Sequence, residues 1–342
     1  MADHVTWLYD RYLRHGRLFH AHFDTTWRCP LRCRHCFLGG DAPEELSLSE
    51  VVDVLDQLAD MGVMSLLLSG GEVFARDDFL DILGAARRRG FMVLVKTSGT
   101  LCRPEDCDTM AALGVRTVHV SLYSHRPSIH DRVTRLPGSF DRSLATILRL
   151  QDLGMHVEAA VTLLKGFETD FSRVRQGLMA QGIRTVAINE LKDMGCFDGY
   201  NLDGLWVDES SRREQWATAF GDRPPRREMR AEEPVCLAGR LSVHVGPDGT
   251  VRPCLEWPES IGSLREARLE DLWRDHPALR RLRTLSWETT EGCMACADRI
   301  WCHPCPARSV QETGDPARPA PSICQRTALW RRLDPDGRGD PR

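Results

Sequence analysis

Residues 29–36 read Cys29-Pro30-Leu31-Arg32-Cys33-Arg34-His35-Cys36. The three cysteines, spaced C-x3-C-x2-C, follow a run at 18–26 whose composition predicts a β-strand. A structural zinc site takes four protein ligands. Three neighbouring thiolates suit a cuboidal [4Fe–4S] core instead, because each takes one iron and the fourth iron stays open to a substrate. Such clusters are ordinarily held by four cysteines, so the missing fourth is informative. The plainer alternatives are a buried cysteine trio or half a zinc knuckle.

The surrounding composition narrows the setting. The chain has 342 residues, enough for two domains. It is 42% hydrophobic and 27% charged, with a net charge of −4. Nothing global in that balance points to nucleic acid or to an anionic membrane surface. No apolar run reaches transmembrane length, and residues 1–17 lack the apolar centre of a signal peptide. The cytoplasm is the expected location. Thirteen cysteines are many, and the number is odd. A reducing compartment disfavours disulfides in a chain this long, so clustered spacings point to metal. Cys102 and Cys107 match no ligand spacing and read as structural.

From 18 to about 191 the pattern alternates apolar runs with amphipathic stretches. Strands are predicted at 18–26, 65–69, 92–97, 118–122, 156–163 and 185–190. Helices are predicted at 49–61, 77–89, 104–113, 139–153 and 170–181, each ending at a glycine. Ser47 and Glu50 form a capping box for the first of these. Repeated βα units imply a parallel sheet with right-handed crossovers. Six units can curve into an open barrel, and sites in such folds lie at the carboxyl ends of the strands. The cysteine loop follows the first strand at that end. Gly70-Gly71-Glu72 follows the second strand directly, where two glycines permit close backbone approach and a carboxylate can accept from an ammonium group.

Cys29-x3-Cys33-x2-Cys36 resembles the signature of the radical S-adenosylmethionine (SAM) superfamily. The resemblance implies a partial (β/α)6 barrel, which agrees with the α/β reading above. It also implies that SAM chelates the open iron through its amino and carboxylate groups. One electron from the cluster then releases a 5′-deoxyadenosyl radical that abstracts hydrogen from the substrate. Gly70, Gly71 and Glu72 match the family motif for the SAM amino group. Ser121, in the fourth strand, falls where relatives place polar groups against SAM. His35 stands where the family usually has an aromatic residue, with Phe37 after the last cysteine. A flavodoxin- or ferredoxin-type electron donor is the implied partner.

Beyond 205 the pattern breaks. Residues 206–220 read as helical and 223–230 as a polar linker. A hairpin with Asp248-Gly249 at its tip brings Cys236 and Cys254 together. Cys293-x2-Cys296-x5-Cys302-x2-Cys305 follows, and then Cys324. Seven cysteines in about ninety residues, without a comparable apolar core, imply folding around metal. Four of them alone fit a zinc ribbon, but zinc carries no electrons for a radical enzyme.

This half resembles the SPASM domain of radical SAM enzymes. By position, Cys293, Cys296, Cys302 and Cys324 would close one auxiliary [4Fe–4S] cluster, and Cys236, Cys254 and Cys305 would hold a second. Two residues separate Cys302 from Cys305, where the family usually has three. Some relatives carry a further cysteine six residues before the Cys236 position; here it is Arg230. Cys196 closes the second cluster, or a carboxylate does, or the site is open. Cys196 also reads as a hydrogen-atom donor beyond the sixth strand, or as a small loop filler. The expected organisation is an extension at 1–17, the barrel at 18–205, a helix and linker at 206–235, the SPASM domain at 236–331 and a tail at 332–342.

Enzymes with a full SPASM domain mostly modify peptides, so the leading expectation is maturation of a ribosomally made precursor peptide by crosslinking or side-chain oxidation. With only seventeen residues before the first strand, a separate peptide-recognition protein is expected. The alternatives are a dehydrogenase or epimerase acting on a small molecule such as an antibiotic sugar or aminocyclitol, and a non-catalytic protein stapled by zinc.

Overall fold

A computed structural model describes residues 2–38, 43–189, 191, 202, 204–212 and 229–333. Its centre is one sheet of nine strands in the order β6-β5-β4-β3-β2-β1-β7-β8-β9. Strands β1 (His20–Thr26), β2 (Ser65–Gly70), β3 (Met92–Thr97), β4 (Thr117–Ser121), β5 (Val157–Thr162) and β6 (Val186–Asn189) run parallel, each beside its predecessor. The six predicted strands are all present, within two residues at their ends.

Helices α2 (Leu48–Asp60), α3 (Phe79–Arg88), α4 (Pro104–Ala112), α6 (Ser139–Asp152) and α7 (Phe171–Met179) lie between the strands, as predicted. The Ser47–Glu50 capping box is formed in both directions. Two helices exceed the expectation: α1 (Ala2–Arg14) at the start, and α5 (Pro127–Thr134) before α6. Arg135, the residue that ends α5, is left-handed at φ 58°.

Every second strand residue faces the helices. Ala21, Phe23, Leu66, Leu68, Val93, Val95, Val118, Val120, Ala159 and Val161 are buried there against Val51, Leu55, Leu58, Ile82, Leu83, Met110, Ile147 and Leu150. That continuous apolar layer is the core of the barrel. The residues between them, such as His22, Asp24, Lys96, His119, Ser121 and Glu158, face the side turned away from the helices.

The predicted hairpin is β7 (Ser242–Val245) and β8 (Thr250–Arg252), followed by β9 (Gly262–Ser263). It does not stand apart from the barrel sheet. β7 pairs in parallel with β1 through His20–Ser242, Ala21–Val243, His22–His244 and Phe23–Val245. Val243, Val245 and Val251 continue the barrel's apolar layer. Next come α8 (Leu269–Asp275) and α9 (Pro277–Thr284). Cysteine-bearing turns then lead to α10 (Pro306–Thr313) and α11 (Pro321–Leu333). Among the described residues, no helix is long and apolar enough to cross a membrane.

Candidate metal centres

The cysteine loop leaves β1 at the carboxyl edge of the sheet and is gripped from two sides. On one side, the Gly71 N–H donates to Thr26 O (2.8 Å) and the Glu72 N–H to Arg28 O (2.9 Å). A Cβ on Gly70, whose φ is 139°, would sit 2.0 Å from Thr26 O. One on Gly71 would sit 2.6 Å from both Trp27 O and Arg28 O. Both glycines therefore let the end of β2 touch the chain that enters the loop. On the other side, the Arg32 and Arg34 N–H groups donate to Thr134 O and Val133 O at the end of α5, each at 3.0 Å. α5 is thus part of the site.

Glu72 is 1% exposed. Its carboxylate accepts from Thr97 Oγ1 (2.6 Å), the Ser98 N–H (2.7 Å), the Phe74 N–H (3.2 Å) and Ser98 Oγ. The sequence suggested an acceptor for an ammonium group. In the structure these oxygens fasten the end of β2 to the end of β3, as a buried carboxylate requires.

The three thiols sit close enough to disfavour one another's ionisation. Burial, with Glu72 and Cys36 adding to it, pushes Cys29 up to about 11. Burial, with Cys36 and Cys29 adding to it, pushes Cys33 up to about 12. Burial raises Cys36 too. Cysteine binds metal as thiolate, so this trio awaits a cation and releases protons when one binds.

Tyr123, two residues past the end of β4, was not singled out by sequence. Its buried hydroxyl lies beside Ser121 and Cys33, and burial, with Cys33 adding to it, raises it well above the usual phenol range. Its ring meets His35 edge-on at 4.8 Å and stacks on His130 at 5.4 Å. Tyr123 thus stands between Ser121 on β4 and His35 of the cysteine loop, both named from the resemblance. Burial lowers His35 to about 4, which keeps it neutral. The readable signal was a tyrosine at the carboxyl end of a barrel strand.

The face turned from the helices is ionisable. Asp24, 2% exposed, holds His22 Nε2 through Oδ1 and His244 Nε2 through Oδ2, both at 3.0 Å. Burial alone would raise this carboxyl, but His22 and His244 hold it well below the usual carboxylate range. Further along the sheet, Lys96, His119 and Glu158 lie side by side on β3, β4 and β5. Sequence reasoning missed this face. Its signal is the alternation His20-Ala21-His22-Phe23-Asp24, unusual for a parallel strand that helices cover on both sides.

The remaining cysteines form two groups. Cys293 and Cys296 share a turn closed by the Cys296 N–H on Cys293 O (3.2 Å), Cys302 follows the short helical turn Arg299–Trp301, and Cys324 lies in α11. These four act on one another electrostatically; burial and those neighbours push Cys293 up to about 12. Cys236 and Cys305 both lie near Cys254 and add to its upward shift, of which burial is again the largest cause. Cys102 and Cys107 lie 3.4 Å apart, sulfur to sulfur, away from both groups. Cys196 lies outside the described residues.

The donor spacing fits an iron–sulfur core better than zinc. Tetrahedral zinc with Zn–S bonds near 2.3 Å needs sulfurs roughly 3.8 Å apart. Among the described residues, the one trio of His, Cys, Asp or Glu with ligand atoms all within 4.8 Å is His22, Asp24 and His244; no cysteine trio is that tight.

Comparison with known proteins agrees with both halves. The model of the radical SAM superfamily matches residues 25–171, and that of SPASM, an iron–sulfur cluster-binding domain, matches 236–297. The Bacillus subtilis antilisterial bacteriocin subtilosin biosynthesis protein AlbA is 28% identical over 80% of this chain and 64% of its own. This chain therefore spans less than two thirds of AlbA's length. The Methanosarcina barkeri AdoMet-dependent heme synthase is 26% identical over 86% of this chain and 92% of its own. A Ruegeria pomeroyi PqqA peptide cyclase is 27% identical over 89% and 86%. Streptococcus suis SuiB, solved with S-adenosylmethionine, superposes over 91% of this chain and 78% of that one at a TM-score of 0.73 and 17% identity, which speaks to the fold.

Proposed function

The chain belongs to the radical SAM superfamily and carries a SPASM domain, and from that premise we propose that it modifies a ribosomally made peptide by hydrogen-atom abstraction. The observation that carries the chemistry is the three-thiol loop of Cys29, Cys33 and Cys36, clamped at the carboxyl edge of the sheet with no fourth cysteine in its spacing. A cluster bound there supplies the electron that splits SAM into methionine and the 5′-deoxyadenosyl radical.

The chain's own residues do the rest. Gly70 and Gly71 fix the loop against β2, and Glu72 orders the rim formed by Thr97 and Ser98. Tyr123 packs beside Cys33 and His35 and shields the loop from water. The polar face carrying His22, Asp24, Lys96, His119 and Glu158 receives the substrate below the loop and offers it hydrogen bonds and charge. Cys293, Cys296, Cys302 and Cys324 would hold one auxiliary cluster, and Cys236, Cys254 and Cys305 a second; such clusters would supply electron-transfer capacity.

The peptide reading draws on the relatives named for bacteriocin biosynthesis and peptide cyclisation. Crosslinking or side-chain oxidation is the proposed outcome. The proposed partners are a flavodoxin- or ferredoxin-type electron donor and a separate peptide-recognition protein. The proposed compartment is the reducing cytoplasm, where free thiols persist.

The test is anaerobic incubation of reconstituted protein with SAM, reductant and candidate precursor peptides drawn from the short reading frames neighbouring its gene. A mass loss of about two hydrogens in the peptide, matched by 5′-deoxyadenosine, supports the reading. A peptide left unchanged beside abundant 5′-deoxyadenosine counts against it. The relative named as a heme synthase favours a small-molecule substrate as the second reading. Solvent deuterium appearing at carbon in a small-molecule product would select that one, with Cys196 as the hydrogen donor to examine.

A further inference from the structure

Among the described residues, the group Cys236, Cys254 and Cys305 is one thiol short of the four that its neighbour has. Arg230 stands at the position where a fourth cysteine occurs in relatives, and a guanidinium has no lone pair to give. We propose that Glu256 is the fourth ligand, making this auxiliary cluster a three-cysteine, one-carboxylate site. The proposal rests on the auxiliary-cluster reading above and deepens it.

Three observations carry it. Glu256 Oε2 lies 3.7 Å from Cys305 Sγ. The carboxylate is placed there by local structure: Cys254-Leu255-Glu256-Trp257 is a turn closed by the Trp257 N–H on Cys254 O (3.2 Å), with Trp257 buried as its anchor. Gln311 of α10 donates to Glu256 O at 2.7 Å and fixes the turn against the helix that starts just after Cys305. One turn thus presents Cys254 and Glu256 together to Cys305. Finally, Glu256 and Cys305 line a cavity of about 600 Å³ that also reaches Arg308 and Arg326.

An oxygen donor is harder than thiolate and suits a soft iron–sulfur core less well. It is therefore the ligand most readily displaced, and it sits where the cluster meets open space. The other group, with four thiols, has no such exchangeable position. The site would accept a substrate heteroatom, a thiolate or amide of a bound peptide, in exchange for the carboxylate.

The test uses the full chain with Cys29, Cys33 and Cys36 all changed to Ala, which leaves the two auxiliary sites. This protein should bind about eight irons, two [4Fe–4S] clusters. Adding Glu256→Ala should alter the electron paramagnetic resonance signal of one reduced cluster and leave the other unchanged. Mild oxidation should then convert that one cluster to a three-iron form. Glu256→Gln, close in shape, should do the same and controls for misfolding. Glu256→Cys should restore full iron content and resist the oxidation. If Glu256→Ala and Glu256→Gln match the parent in signal, iron content and oxidation, Glu256 only accepts a hydrogen bond from Cys305 and the proposal falls. A parent that holds one cluster or none would overturn the auxiliary-cluster reading itself, and the ligand assignment with it.

Discussion

The barrel and the cysteine-rich segment beyond α9 hold themselves together by different means. In the barrel, strands and helices share a dry layer that includes Phe23, Phe79, Leu55, Leu66, Leu68 and Ile82, all essentially inaccessible. Across 286–333 the buried apolar side chains are few, chiefly Trp287, Trp301, Ala307, Ala320, Ile323 and Leu329. Turns and short helices there carry Cys293, Cys296, Cys302, Cys305 and Cys324. The first cysteine loop is thus mounted on an apolar frame of its own, whereas the last cysteines have little apolar frame, and the proposed clusters would supply the missing cross-links. A radical site gains from the first arrangement, since its loop is set before the cofactor arrives.

That contrast can be broken most directly by removing iron. Amide hydrogen exchange in the iron-free protein should speed up by about a thousandfold across 286–333, about 4 kcal/mol of lost protection, and change little in β1–β5. Equal loss in both regions would erase the distinction. Next in size is Gly70→Ala, which forces a Cβ onto Thr26 O. It should cost about 3 kcal/mol in chemical denaturation and lower iron uptake at the first loop, leaving the auxiliary clusters filled.

Asp24→Asn probes the seam between the two halves, because His22 is on β1 and His244 on β7. It should cost about 2 kcal/mol at pH 7. The paired carboxylate titrates below its unfolded value, so its contribution is present above about pH 4 and fades as pH falls further. The variant should therefore approach the parent in stability under acid.

The smallest effect belongs to His130, 1% exposed, whose Nδ1 accepts from the Tyr123 N–H at 3.2 Å. Burial lowers it to about 4. A buried neutral histidine contributes fully above its unfolded pKa near 6.5 and loses that contribution as pH falls towards 4. At pH 5.5, iron-free protein should have lost about 1.4 kcal/mol through this group. His130→Gln should flatten that part of the pH profile in urea titrations.

Much of this was legible in sequence because the signals were local. Ser47 with Glu50, the glycines after each helix and the cysteine spacings each act within a few residues. The hairpin itself was readable from Asp248-Gly249, but not its place beside β1, since nothing local in Ser242–Val245 specifies a parallel partner some 220 residues earlier. The pairing of His22 and His244 through Asp24 was hidden for the same reason. α5 was missed because its eight residues give too short a period to separate from a loop. Glu72 was found by motif, yet three of its four donors come from Thr97 and Ser98, about 25 residues on, and only the fold brings them to it.

The central claim is that the trio at the end of β1 splits a bound sulfonium donor. Anaerobic protein reconstituted with iron and sulfide, then given SAM and dithionite, should form 5′-deoxyadenosine. The variant with Cys29, Cys33 and Cys36 changed to Ala should form none while keeping its auxiliary clusters. No 5′-deoxyadenosine from the parent, or equal amounts from both, would contradict the account.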